Sequence, residues 1–531
     1  MFAPLLYLRS DIQVEPLINR WYAWAQLVPP APAAFNIVGR HLKTMGSYLQ
    51  SPDLHAAAVA NPKMRGGPFI DLDGHKVEEI RVLLEETRKR AAHQIAFTEA
   101  VRVLDDLLKT KADGHTLQPL YAEIPEPLKG QVELFYNRGH RADFRLFEPL
   151  LYKSPVYDES FQSVALSVIG EDCSRPFLFS TPRLDDPGVL HLPVPFASPG
   201  LDTLFRAKRE PQALAIVRRS LGIPLGPEED ALLQGFFTET PPPTYQPYSG
   251  DRLRIRYFGH ACILIEAQGT SILIDPVLSY TYESDISRFT YDDLPDKIDY
   301  VLITHGHHDH ILLETMLQIR HRVRNVIVPR NCSGMLQDPS LKLMLERLGF
   351  NGVRNLDEFE TVAIADGLIT GFPFMGEHHD LQIQSKLTYH IRYRDKSVMV
   401  MADSCNIAPE LYERVHHITG NVDILFLGME CDGAPVSWVY GPLFTDKPDR
   451  ERDHSRRGRG SNCAEGMDLV RRFNCKEVYV YAMGEEPWVQ YILGMHYTAQ
   501  SNAIVQSNML VAECRQEGRL SERLFGEKEI G

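Results

Sequence analysis

The stretch from Asp299 to Glu314, Asp-Tyr-Val-Leu-Ile-Thr-His-Gly-His-His-Asp-His-Ile-Leu-Leu-Glu, constrains this chain more than any other. Tyr300 to Ile303 give a short buried-strand signal, and four candidate metal ligands follow at once: His305, His307, Asp309 and His310. Imidazoles two residues apart on a loop can converge on one ion. An adjacent Asp-His pair opening the next helical segment can address a second ion roughly 3.5–4 Å away. A solvated histidine tract would not be led in by a strand, nor would it interleave Gly and Asp. The fold must therefore bring a strand end, a loop and a helix start to one metal pocket.

The run His-x-His-x-Asp-His resembles the signature of the metallo-β-lactamase superfamily. Upstream, Tyr257 to Glu266 and Ser271 to Pro276 look like the opening hairpin of that fold. The resemblance covers about residues 251–510 and implies an αββα sandwich, with Asp275 as a carboxylate supporting the histidines from behind. Fold alone does not fix the reaction.

At 531 residues the chain is long for one domain. A formal net charge of -14 argues against a nucleic-acid partner, and so against the nuclease branches of the superfamily. The eight cysteines form no Cys-x-x-Cys pair and read as reduced thiols. The start, Met1 to Arg9, lacks a basic leader, and no run reaches the ~18 apolar residues of a membrane span. The expectation is a soluble, cytoplasmic protein.

Residues 1–245 carry no metal motif, phosphate loop or nucleophile signature. Trp21, Tyr22 and Trp24 read as core packing. Residues 76–109 have helical periodicity, as one amphipathic helix or a pair, serving the interior or a homodimer interface. Segments 131–136 and 161–168 read as strands, so this half is expected to be a mixed α/β domain. Pro241-Pro242-Pro243 opens a stiff linker, after which a second domain, 246–531, begins. Helices are predicted over 312–322 and 341–348. Strands are predicted over 325–329, 361–364, 368–373, 387–393, 398–401 and 422–427, with 478–481 closing the set. The overall class is thus α/β (α+β). Residues 446–460 read as a charged, Arg-rich loop.

Further ligands are needed to hold two ions. Glu377, His378 and His379 stand in line after one strand, and Asp403, directly after another, matches the superfamily's bridging carboxylate. The histidine expected after the last strand is absent. His496, His454, Glu485, Glu486 or water remain to fill that place. His260 lies near the site in the superfamily's arrangement and is read as a packed or supporting histidine.

Imidazoles mixed with Asp309, Glu377 and Asp403 suit iron or manganese better than zinc. Together with the long N-terminal extension, the glutamate resembles the di-iron β-hydroxylases of nonribosomal peptide biosynthesis, above all the chloramphenicol branch of that family. The resemblance implies an O2-dependent monooxygenase drawing external electrons. Its substrate would be an aromatic aminoacyl group, p-aminophenylalanyl, thioester-linked to a nonribosomal peptide synthetase carrier domain. It also implies His305, His307 and Glu377 on one iron, Asp309 and His310 on the other, and Asp403 between them, with Glu377 and Asp403 catalytic. His378 stands second to Glu377. The N-terminal domain would dock the carrier, form a dimer, or both. The alternative is a di-zinc hydrolase of the same fold acting on a thioester, lactone or phosphodiester.

Overall fold

A computed structural model describes residues 4–531, so the first three residues of the stretch Met1 to Arg9 lie outside the described residues. The second half is built on two seven-stranded sheets lying face to face. The first runs in the order Val353–Leu356, Val323–Pro329, Ile298–Leu302, Thr270–Ile274, Ile263–Ala267, Arg254–Tyr257 and Lys528–Ile530. The second runs Thr361–Ile364, Gly367–Pro373, Leu387–Tyr393, Lys396–Val400, Ile424–Gly428, Glu477–Tyr481 and Leu520–Arg523.

Alternation along each strand assigns every residue to a layer. Ile263 and Ile265 face the second sheet, whereas Leu264 between them faces outward. In the second sheet Ile424 and Phe426 point inward, and Leu425 and Leu427 pack under the helices Cys463–Arg472 and Asn502–Gln516. Both faces of each sheet are therefore covered, which is why these strands read as nearly continuous apolar runs.

The outer face of the first sheet is covered largely by residues from the first 240 positions. One apolar cluster runs from Leu8, Trp21 and Phe35 through Leu204 to Leu264, Val301 and Val326. The N-terminal region contributes a four-stranded antiparallel sheet around Ile12–Ile18 and Gln162–Val168, and the helix pair Val77–Arg90 and Ala92–Lys111. Trp21, Tyr22 and Trp24 are buried in this shared core. A buried ionic lock joins the two regions: Arg175 bonds Glu15 at 2.7 Å and Glu314 at 2.6 Å, and Arg183 closes on Glu15 at 2.7 Å. Glu314 also accepts hydrogen bonds from Tyr22 (2.6 Å) and Tyr280 (2.5 Å).

Two expectations are corrected. The segment 478–481 does not close the set: Leu520–Arg523 and Lys528–Ile530 follow, one extending each sheet. They are only four and three residues long and carry adjacent charges, Glu522-Arg523 and Lys528-Glu529, as suits edge strands, which hides the strand signal. The Arg-rich stretch is not simply a loop, since Arg450–Ser455 is helical, Arg456 donates to the His379 carbonyl at 2.7 Å, and Arg459 pairs with Glu465 at 2.8 Å.

Candidate metal centre

The strand Ile298–Leu302 delivers the His305 loop, and Asp275 fixes it. Asp275 stands one residue past the strand Thr270–Ile274, wholly buried and with φ +42. One of its carboxylate oxygens accepts from the Thr304 amide at 2.8 Å, and the other from the Thr304 hydroxyl at 2.5 Å and from His310 Nδ1 at 2.8 Å. With Nδ1 so engaged, His310 turns Nε2 into the pocket. The Leu387 amide donates to the Thr304 carbonyl at 2.7 Å, tying this loop to the second sheet.

The second sheet supplies the remaining acids. Glu377 follows the strand Gly367–Pro373, and Asp403 follows Lys396–Val400. The chain turns sharply at both places, with φ +61 at Glu377 and +44 at Ala402. Such left-handed residues cost on the order of 1–3 kcal/mol each and concentrate where side chains must be aimed.

All six residues expected to bind metal meet in one pocket. His310 Nε2 lies 2.8 Å from Asp403 Oδ2 and 3.7 Å from Asp309 Oδ2. His305 Nε2 is 3.8 Å from Asp403, and His307 Nδ1 is 3.1 Å from Glu377 Oε1. Two overlapping sets of three ligand atoms result, one of His305, His310 and Asp403, the other of His260, Asp309 and His310. His260, whose Nε2 sits 3.1 Å from Asp309, is thus closer to the chemistry than a packing histidine. His378 stands over His307 with ring centroids 4.4 Å apart, and the Tyr440 hydroxyl lies 2.9 Å from His378 and 3.0 Å from His307.

The pocket fits a pair of metal ions. His305 Nε2, His378 Nε2 and Asp403 Oδ1 are buried without a hydrogen-bond partner. A buried orphan costs about 1–3 kcal/mol, so three gathered at one site are expected to have ligands to bind. Burial, then the charges of Asp403 and Asp309, push the Glu377 carboxyl well above the usual carboxylate range. Burial lowers His307 to about 4, the neutral form that metal binding requires. Burial opposes charge on His310 too, but Asp403, Asp309 and Asp275 outweigh it and hold the ring well above its ordinary pKa. Bound cations would relieve the repulsion among the acids.

None of the four side chains offered for the missing ligand turns to the pocket. His496 and His454 are exposed, Glu485 pairs with Arg523 at 2.8 Å, and Glu486 accepts the Tyr257 hydroxyl. Sequence reasoning missed Glu430, Tyr440 and His308. A cavity of about 250 Å³ is lined by Asp403, Glu377, His308 and Glu430, with Trp438 and Met495 on its apolar side. Glu430 follows the strand Ile424–Gly428, the position analogous to Glu377 and Asp403, and that placement was the available signal.

The family described as the diiron non-heme beta-hydroxylase N-terminal domain matches residues 7–241, and a beta-lactamase superfamily domain matches residues 254–432. The chain is 42% identical over 524 residues to the 4-amino-L-phenylalanyl-[CmlP-peptidyl-carrier-protein] 3-hydroxylase of Streptomyces venezuelae, spanning 97% of this chain and 98% of that enzyme. The crystal structure of CmlA, a diiron beta-hydroxylase from Streptomyces venezuelae, superposes with a TM-score of 0.93 at 41% identity over the full length of both chains. A glutamate-to-aspartate variant of the CmlA beta-hydroxylase matches at a TM-score of 0.91 over 99% of each. Likeness that extends through both halves, with a pocket of imidazoles and carboxylates where they meet, settles the affiliation: the chain belongs to the di-iron non-haem β-hydroxylase family.

Proposed function

We propose that this enzyme hydroxylates the β carbon of a 4-aminophenylalanyl group held as a thioester on a peptidyl carrier protein. His305, His307 and Glu377 would hold one iron, Asp309 and His310 the other, and Asp403 would lie between them. Held there, two irons would supply the O2 activation that hydroxylating a C–H bond needs, with electrons and protons from outside the chain, one oxygen atom ending in the product and the other in water. The observation that carries this reading is the set of orphaned, buried donors in a chain alike throughout its length to an enzyme of that activity.

The chain's own residues orient and enclose. Asp275 holds His310, His260 holds Asp309, and the Tyr440 hydroxyl sets the rings of His307 and His378 against each other. Trp438, Val439 and Met495 give the cavity an apolar wall for an aromatic ring and keep water from the reacting carbon. Glu430, held by the Tyr497 hydroxyl and the amides of Asp432 and Gly433, offers an acceptor to a substrate amino group.

Residues 1–245 form the carrier-docking side, and a separate redox protein delivers electrons. Exposed Val82 and Val103 on the helix pair provide a homodimer face, which sedimentation tests; a purely monomeric species removes it. Eight unpaired cysteines suit the reducing cytoplasm.

The deciding experiment measures metal content and the optical spectrum before and after anaerobic reduction and O2 exposure, followed by turnover of the carrier-bound amino acid. Two irons per chain, an O2-responsive band and a β-hydroxylated product are expected. Zinc with thioester hydrolysis would overturn the proposal in favour of a hydrolase.

A further inference from the structure

A second cavity, of about 680 Å³, adjoins the metal cavity and shares Gly66, Pro435 and Trp438 with it. Trp438 is the dividing wall. Its indole donates to the Gly66 carbonyl at 2.9 Å, and its ring lies 5.6 Å from that of His308, within the metal-binding loop. Phe179 stands 5.4 Å away, so the passage is aromatic on its inner side.

The outer side is cationic. Arg40, Lys43 and Lys447 line it, and Lys43 and Lys447 are exposed at its mouth. Arg40 lies on a π-helical turn, Ile37–His41, a local widening found mostly at functional sites. Its guanidinium donates to the carbonyls of Trp438 and Val439 at 2.9 and 3.1 Å, leaves Nε unpartnered, and covers the Phe179 ring at 4.4 Å. Burial with no compensating anion lowers Arg40 to about 10. Burial, then the like charges of Lys447 and Arg102, lower Lys43. Asp453, the acid lining this cavity, is already engaged by the Ser437 amide and hydroxyl, each at 2.8 Å.

Arg40, Lys43 and Lys447, none of them in an ion pair among the described residues, beside a partly apolar passage call for a ligand with one anionic end. The aminoacyl group of a peptidyl carrier hangs from a phosphopantetheine arm, an amide chain with a phosphodiester where it joins the protein. We propose that the second cavity is the entry channel for this arm, and that Lys43, Lys447 and Arg40 seat its phosphodiester. The thioester end then passes Trp438 to reach the metal cavity. This inference rests on the carrier-bound substrate proposed above.

Binding of free phosphopantetheine, pantetheine and inorganic phosphate to the iron-loaded enzyme tests it by calorimetry, independently of turnover. Phosphopantetheine is expected to bind at least about ten-fold more tightly than either fragment. In Lys43→Glu/Lys447→Glu that advantage disappears with iron content unchanged, and in Lys43→Arg/Lys447→Arg it persists. Equal affinity for phosphopantetheine and pantetheine, or an unaltered advantage in the glutamate variant, would overturn the seat. Phosphate binding as tightly as phosphopantetheine would reduce it to a plain anion site and overturn the channel. Failure of the substrate reading shows separately, as a carrier-bound amino acid left unhydroxylated by iron-loaded wild type.

Discussion

Two buried polar clusters flank the same short loop and are built on opposite plans. Around Glu314, carboxylates meet arginines and tyrosines: Glu15 and Glu314 are answered by Arg175, Arg183, Tyr22 and Tyr280. Around Asp403, three carboxylates crowd together, and among the described residues their ion-pair partners are histidines alone. The first cluster is closed and fastens the N-terminal region to the helix Leu313–Ile319. The second is left incomplete, and that deficit of positive charge is what two cations supply. A buried acid is thus informative through what answers it rather than through its burial.

The largest effect should come from removing the deficit. Asp403→Ala is expected to abolish hydroxylation and reduce iron to at most one per chain, while the metal-free protein unfolds no more easily than wild type. Metal analysis with urea denaturation checks this, and full iron loading would break the comparison. The converse variant, Glu314→Gln, opens the closed cluster and leaves Arg175 under-paired, costing about 3–5 kcal/mol in denaturant. Its folded fraction should still bind two irons; a selective loss of iron would mean that the clusters are not separable.

Acid sharpens the contrast next. Burial raises the Glu15 pKa, but Arg183 and Arg175 outweigh burial and bring it from 4.5 to about 2. A depressed carboxylate stabilises the fold above its unfolded pKa and loses that contribution as pH falls through the folded one. Stability should therefore drop by about 3 kcal/mol between pH 4.5 and 2 from this group, and Glu15→Gln should flatten that part of the profile. The smallest effect is expected for Asp275→Asn, which keeps shape but loses the charge behind His310. Iron affinity should fall about 10–100-fold with the fold intact, and an unchanged affinity would deny Asp275 a part in the centre.

The deficient cluster was far more legible in the sequence than the closed one. His305, His307, Asp309 and His310 fall within six residues, so their convergence follows from local geometry. Glu377 and Asp403 could be placed because each directly follows an apolar strand. Glu15, Arg175 and Glu314 are remote from one another in the chain, and no periodicity links them. Glu430 and Tyr440 escaped for a related reason: loop residues acquire a partner only after the sheets stack. The passage beside Trp438 draws Arg40, Gly66 and Lys447 from both halves of the chain and was invisible before folding.

The two strands missed at the end of the chain bear on how the enzyme is made. Leu520–Arg523 seals the outer edge of one sheet, and Lys528–Ile530 seals that of the other, pairing with Arg254–Tyr257 from the start of the sandwich. A ribosome must release these residues before either edge is protected, and until then two bare strand edges invite intermolecular pairing. Nascent chains stalled before residue 520 should therefore remain protease-sensitive, whereas protection at that stage would show that the sheets close without these strands.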